Sequence, residues 1–130
     1  MKHFAGIIDI TELENISIFS LPICFISNIQ EHWFSIWVSR DTVEVYDSLG
    51  EKSALSKSTL FVNFLCNNLV NRRLKFSRQI QTENSQLCGQ YCITCLKLRS
   101  QNLDFDEINC HFSHNLGENE LIILNLFTDI

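Results

Sequence analysis

The stretch Gln81-Thr-Glu-Asn-Ser-Gln-Leu-Cys88-Gly89 predicts the passage from a strand into a helix, with a cysteine on the first turn of that helix. Asn84 or Ser85 can cap the helix, because a short side chain with an oxygen accepts hydrogen bonds from N–H groups that lack a partner within the helix. Cys88 then lies where the helix dipole favours a negative charge, and a thiol in that position loses its proton more readily. For a single cysteine, the alternative is a half-buried structural thiol.

The residues on either side of this stretch support that interpretation. Apolar residues alternate over 74–80, as in a strand that ends at Gln81. Positions 87, 91, 95 and 98 are Leu, Tyr, Cys and Leu, a helical spacing that predicts a buried amphipathic helix from Ser85 to about Arg99. Gln81, seven positions before Cys88, can reach back as an amide donor toward an oxyanion.

Three strands are predicted earlier in the chain. The first begins just after Pro22 within 21–29, the second covers 33–38 and the third covers 42–47. The second is apolar on both alternating faces, as in a strand that is covered on both sides. The link Ser39-Arg40-Asp41 is short enough for a hairpin between the last two strands. Residues 4–13 are interpreted as a short leading segment and turn.

Helices account for the remaining pattern. An uninterrupted apolar face predicts a helix over 53–73, and a short helix is expected around 105–112 with Asp104 as its cap. Residues 119–127 favour a helix over a strand, because Asn119 stands at a cap position. The order of elements predicts the α+β class, with a small mixed sheet packed against helices in a single domain, 1–130.

The composition limits the class of protein. Of the 130 residues, 45% are hydrophobic, which suffices for a packed core. No apolar run approaches the roughly 20 residues of a membrane span, and the N-terminal residues lack the apolar core of a signal peptide. We therefore expect an intracellular protein with no membrane partner, whose six cysteines are free thiols.

The charge of the chain does not favour a nucleic-acid partner, because the net charge is −5. One local exception is a basic stretch formed by Arg72, Arg73, Lys75 and Arg78. Such a stretch is either a solvated face or a partner-binding surface, and the sequence leaves both open.

His32 and Asp47 are the residues that could serve a nucleophilic cysteine. Such a cysteine needs a base that takes its proton and a group that orients the base. His32 opens the most apolar strand, and Asp47 ends the strand that should pair with it. Neighbouring strands lie about 5 Å apart, so the carboxylate can meet the imidazole and hold it in one tautomer. The alternative is a buried histidine and an unrelated turn residue.

Together these residues resemble the adenovirus-type cysteine proteases (adenains). The resemblance is carried by His32-Trp33 before an apolar strand, by Tyr46-Asp47-Ser48-Leu49-Gly50, and by Gln81 through Asn84-Ser85 to Cys88-Gly89 and Tyr91-Cys92. It is especially marked for the relatives encoded by Maverick/Polinton-type elements and related DNA viruses. The chain order His, Asp, Gln, Cys also matches the SUMO and ubiquitin-like proteases. The resemblance runs over nearly the whole chain, although its sharp motifs cover a small part.

The resemblance implies a papain-like fold of the adenain type, with the active site between the sheet and the helix that carries the cysteine. It implies that Cys88 is the nucleophile, His32 the general base and Asp47 the acid that orients the base. Gln81 and the backbone N–H of Cys88 would form the oxyanion hole. The implied activity is endopeptidase cleavage of viral or element-encoded precursors beside small residues such as glycine, in the host nucleus, the cytoplasm or the virion.

The resemblance implies no metal or cofactor but leaves the partners open. Adenoviral enzymes are longer than this chain and use peptide and DNA cofactors. An activating peptide is therefore an open partner, Cys66 is only a loose match for the cysteine that tethers it, and the acidic net charge argues against DNA. The same residues also serve isopeptidases that remove ubiquitin-like tails, and the sequence does not separate the two activities.

Two other classes of function compete with the protease interpretation. Cys92-Ile-Thr-Cys95 with Cys110-His111 and His114 superficially offers a zinc site. Cys92 and Cys95 follow the helix periodicity, so packing along a helix face is the better interpretation. A catalytically silent binding module is the other alternative, and the intact set of four site residues argues against it.

Overall fold

A five-stranded mixed sheet lies at the centre of the fold. In the computed structural model, which describes residues 3–16, 18 and 20–128, the strands stand in sequence order across the sheet. They are β1 (Phe4–Ile7), β2 (Ile23–Ile29), β3 (His32–Val38), β4 (Thr42–Tyr46) and β5 (Arg73–Phe76). β2, β3 and β4 pair antiparallel, and each edge strand runs parallel to its neighbour. The predicted α+β class is confirmed.

Helices cover both faces of the sheet. α1 (Thr59–Asn68) packs on one face, and α2 (Cys88–Ser100), α3 (Phe105–Asn109) and α4 (Asn119–Thr128) pack on the other. Side chains alternate along β3, so Phe34 and Ile36 belong to the core under α1 while Trp37 belongs to the core under α2. The prediction that β3 is covered on both sides is confirmed.

Two tight connections hold the ends of β3. β2 passes into β3 through Gln30 and Glu31, both at positive φ (48° and 65°). β3 passes into β4 over residues 39–41, where the Ser39 N–H donates to the Thr42 carbonyl oxygen at 3.0 Å. This second connection is the predicted hairpin, and its register brings the end of β4 back toward the start of β3.

Three predicted elements differ most from the observed ones, and α2 begins at Cys88 and not at the predicted Ser85. Residues 4–13, expected as a leading segment and turn, contain β1 and the start of a 3₁₀ helix at Ile10–Asn15. The helix expected over 53–73 begins only at Thr59, because Ser58 caps it by accepting the Phe61 N–H at 3.3 Å, and it ends at Asn68. The strand expected over 74–80 ends at Phe76, because its partner β4 itself ends at Tyr46.

The two C-terminal helices agree with the sequence. Asp104 opens α3 by accepting the Glu107 N–H at 2.8 Å in a capping box, although the helix ends earlier than expected. α4 covers the segment for which a helix was favoured over a strand. In the described ranges, every helix is too short or too polar to cross a membrane.

The basic stretch is largely occupied by contacts within the fold. Arg72 donates to the Ser39 carbonyl oxygen at 2.8 Å, and Arg78 donates to the Phe112 carbonyl oxygen at 2.6 Å. Lys75 lies 3.6 Å from the carboxylate of Asp106. These side chains therefore tie segments of the chain together, which favours a structural role for the stretch.

Candidate active site

The start of α2 and the start of β3 bring Cys88 and His32 together. Each residue is the first of its element, and α2 packs against β3. Cys88 is 9% exposed, and the His32 side chain retains 15% exposure. Both residues line a cleft of about 470 Å³, and Gln81 lines it with them.

Asp47 holds the His32 ring through one of its two nitrogens. Its Oδ1 lies 2.6 Å from His32 Nε2. Asp47 follows β4 directly and is fully buried, and the Leu49 N–H donates to the same Oδ1 at 3.0 Å. Because Asp47 occupies Nε2, the ring nitrogen left for Cys88 is Nδ1. The structure thus brings His32 and Asp47 together at the strand ends, where the sequence placed them.

The electrostatics of the cleft favour a thiolate beside an imidazolium. Burial opposes ionisation of Cys88, but hydrogen bonds from His32 and from the Trp33 backbone N–H outweigh burial, so the pKa of Cys88 is lowered. Burial also opposes the charged form of His32, but Asp47 and Cys88 together raise the pKa of His32 to about 9. The downward shift at Cys88 and the upward shift at His32 both favour opposite charges on the two side chains.

The start of α2 contradicts the prediction that Asn84 or Ser85 caps this helix. The cap residue is Leu87, which has no side-chain acceptor, and the Ser85 hydroxyl accepts the Leu87 N–H in a long contact of 3.4 Å. A helix without a side-chain cap leaves the N–H groups of its first turn to other acceptors. The backbone N–H of Gly89, in this first turn, helps to lower the pKa of Cys88. The absence of the cap thus leaves backbone donors for a negative charge at the cysteine.

Gln81 is held so that its amide nitrogen remains for the cleft. The Ser48 hydroxyl donates to Gln81 Oε1, and within the described residues no hydrogen bond uses Gln81 Nε2. The Ser48 carbonyl oxygen accepts the N–H groups of both Ile80, at 2.9 Å, and Gln81, at 3.0 Å. Gln81 is 2% exposed, which restricts its side chain. This arrangement supplies an N–H donor for an oxyanion.

The backbone before Gln81 is fixed although it lies outside a strand. The Asn119 side-chain amide donates to the Ile80 carbonyl oxygen at 2.8 Å. On the other side, Gly50 has a φ of +56°, and a Cβ there would collide with the backbone nitrogen of Gln79. Position 50 must therefore be glycine for the turn after Asp47 to pack against the segment that leads to Gln81.

Sequence reasoning missed two residues that position the site. Ser48 stood in the quoted motif without a role, and its place directly after Asp47 was the signal that could have found it. Asn119 was interpreted as a helix cap, but it anchors Ile80 across 39 positions of the chain. No local pattern indicates a contact of that range.

The other cysteines of α2 and the late Cys/His cluster do not form a second site. Cys92 and Cys95 are fully buried, and burial raises the pKa of both thiols. Cys110 is exposed and does not join them. Within the part of the chain that the structure describes, no three potential ligands surround a metal position. The zinc interpretation therefore has no geometric support, and the prediction that Cys92 and Cys95 pack along a helix face agrees with their burial.

Chemically, the cleft combines groups that can serve as a nucleophile, as a base with its orienting acid, and as amide donors for a developing negative charge. No family model, no curated protein and no solved structure matches this chain. A functional proposal must therefore stand on the residues of the cleft.

Proposed function

We propose that this chain is a cysteine endopeptidase of the adenain type, with a papain-like arrangement of its catalytic groups. The observation that carries the proposal is the His32 ring held between Asp47, at 2.6 Å, and Cys88. A cysteine at an open helix N-terminus beside an oriented histidine meets the requirements of a nucleophilic thiolate. The chain order of His32, Asp47, Gln81 and Cys88 supports the same assignment.

In the proposed reaction the Cys88 thiolate attacks the carbonyl carbon of the scissile peptide bond. The oxyanion that develops receives hydrogen bonds from Gln81 and from the backbone at the start of α2, and each such donor contributes about 3 kcal/mol in the transition state. His32 gives its proton to the leaving amine as the C–N bond breaks. A water molecule, deprotonated by His32, then hydrolyses the thioester and releases Cys88.

The proposed substrate is an extended polypeptide, a viral or element-encoded precursor with small residues beside the scissile bond. Trp33 and Leu49 line the cleft and narrow its apolar part. Because His32, Asp47 and Cys88 are already together in the chain alone, the proposal requires neither a cofactor nor an activating peptide. Cys66 is exposed on α1, on the face of the sheet away from α2, and has no role in the proposal.

The first test is the pH dependence of alkylation at each cysteine, measured by mass spectrometry in wild type, Asp47→Asn and His32→Ala. We expect Cys88 alone to react well below neutral pH. A change of one pKa unit alters the thiolate fraction about tenfold, so its rate at about pH 6 should fall by about tenfold or more in both variants. The exposed Cys66 provides an internal control in every sample. If Cys88 of the wild type reacts no faster than Cys66, the proposal is wrong.

A second measurement separates the classes of substrate. Wild type and a Cys88→Ala blank are incubated with a peptide that contains a glycine–glycine bond and with a folded ubiquitin-like precursor. We expect cleavage of the peptide by the wild type. Cleavage of the precursor alone would instead support a deconjugating isopeptidase. Low-pH alkylation without cleavage of either would favour a binding module.

A further inference from the structure

The cleft around Cys88 has an acidic rim. Glu31 approaches it from the β2–β3 turn, and Glu83 approaches it from the loop before α2. The basic side chain of the cleft lining is His32, whose charge is already matched by Asp47 and Cys88. The rim carboxylates therefore have no counter-charge inside the cleft.

Glu31 is the less compensated of the two carboxylates. Glu83 lies 3.6 Å from the ammonium of Lys52, and both side chains are largely exposed. Glu31 forms no ion pair with any residue that the structure describes. A cationic group that enters the cleft would therefore meet an unpaired carboxylate at Glu31, whereas the carboxylate of Glu83 already interacts with Lys52.

The backbone of the β2–β3 turn is an independent observation at the same place. Gln30 and Glu31 both adopt positive φ, a conformation that is strained for residues with a Cβ. Two-residue hairpin turns of this shape usually contain Asn and Gly. Here two long polar side chains occupy them and line the cleft. Backbone strain at the wall of a site is a reason to look for a functional role of the side chains.

The hollow next to the cleft has a different charge. It measures about 750 Å³ and shares Gln30 and Glu83 with the cleft, but Lys52 and Lys57 also line it and balance the charges of Glu51 and Glu83. The negative bias is therefore confined to the part of the groove nearest Cys88. A cationic group is favoured close to the reacting carbonyl and not farther along the groove.

We propose that the cleft selects polypeptides with a lysine or arginine within a few residues of the scissile bond, and that Glu31 determines this specificity. This inference rests on the proposed protease function and names its substrate class. The substrate cation pairs with the Glu31 carboxylate at the rim. Side chains alternate along an extended peptide, so a small residue beside the bond and a cationic neighbour can be accommodated together.

The test compares how fast Cys88 reacts with a cationic and an anionic methanethiosulfonate of similar size, in wild type, Glu31→Gln, Glu31→Gly and Asp41→Asn. Asp41 is exposed at the opposite end of β3, about 20 Å from His32, so its variant matches the change in net charge. We expect the cationic-to-anionic rate ratio to fall about fivefold in both Glu31 variants at low salt, and to stay unchanged in Asp41→Asn. High salt should shrink the wild-type ratio.

Two glycine vinyl sulfone peptides, with lysine or glutamate before the glycine, extend the test to substrate-like probes. The lysine probe should label Cys88 faster, and Glu31→Gln should remove that advantage. Glu31→Gly should also remove the advantage, but without lowering Tm, because glycine tolerates the positive φ. If Glu31 were only a structural residue, the labelling advantage and Tm would change together. An unchanged ratio in Glu31→Gln, or an equal fall in Asp41→Asn, overturns the inference. If Cys88 shows no enhanced reactivity toward any reagent, the proposed protease function itself fails.

Discussion

The first turn of α2 and the turns that follow it hold cysteines with opposite ionisation behaviour. The pKa of Cys88, in the first turn, is lowered. The pKa of Cys92, one turn later, is raised well above its ordinary value, and that of Cys95 is raised as well. The three residues lie within about 10 Å along one helix, yet only the first is suited to attack a carbonyl carbon.

The difference arises from what else contacts each thiol. Burial disfavours the thiolate in all three cases. Cys88 has the imidazolium of His32 and backbone N–H groups to compensate, whereas Cys92 has the neighbouring Cys95 thiol. A helix therefore presents a reactive cysteine only where its uncapped end meets a base from another element.

Replacing each cysteine by alanine should give the largest difference between Cys88 and Cys92. Cys88→Ala should abolish hydrolysis, a loss of about 10⁶-fold. Cys92→Ala should retain activity but lower the free energy of unfolding by about 1 kcal/mol, because it removes an atom from a fully buried position. Peptide cleavage and urea unfolding measure the two effects. Loss of hydrolysis in a fully stable Cys92→Ala would contradict the separate roles.

A second variant separates formation of the thiolate from stabilisation of the oxyanion. Gln81→Ala should lower kcat by about 10²- to 10³-fold, because it removes an amide donor from the cleft. The alkylation profile of Cys88 should not change, since Gln81 is not among the groups that shift the pKa of Cys88. Steady-state kinetics and alkylation of the same preparation measure both quantities.

The control for this variant is Gln101→Ala, which truncates an exposed glutamine at the far end of α2. It should leave both kcat and the alkylation profile at wild-type values. If alkylation of Cys88 slows together with kcat in Gln81→Ala, then Gln81 acts on the His32–Cys88 pair and not on the oxyanion.

The part of the site that could be predicted from sequence is the part set by local geometry. A three-residue link between two strands returns the end of the second strand to the start of the first, so the meeting of His32 and Asp47 follows from the hairpin alone. A change from alternating to helical spacing likewise locates Cys88 at the beginning of a helix. Neither inference needs the rest of the fold.

The parts that could not be predicted depend on distant segments or on backbone direction. β1 pairs with β2 in parallel, and no turn between them marks that pairing in the sequence. Asn119 reaches Ile80 from the other end of the chain. The cap of α2 was judged from residue type, but the backbone sets Leu87 at the cap position and leaves Ser85 with a long contact.

The smallest expected effect concerns the pH dependence of stability. Because the pKa of His32 is raised, its stabilising contribution is complete below 6.5 and is lost as the pH rises to about 9. The lowered pKa of Cys88 acts in the opposite direction, because its contribution grows as the pH rises. Where Cys88 titrates below 9.0 the two slopes oppose each other, so the pair should give the wild type a shallower slope than His32 alone would.

Cys88→Ala removes one of these slopes while Asp47 still holds His32. The free energy of unfolding of this variant should therefore fall as the pH rises above 6.5, by about 1 kcal/mol or less after allowance for solvent screening of the ring. The window is narrower than in the wild type, because His32 loses the part of its pKa shift that Cys88 supplies. Urea unfolding of both proteins under reducing conditions measures the difference, and the remaining cysteines titrate alike in both. Parallel curves would mean that Cys88 stays protonated, as Cys92 does. In that case Cys88 and Cys92 would differ in their exposure to solvent and not in their charge.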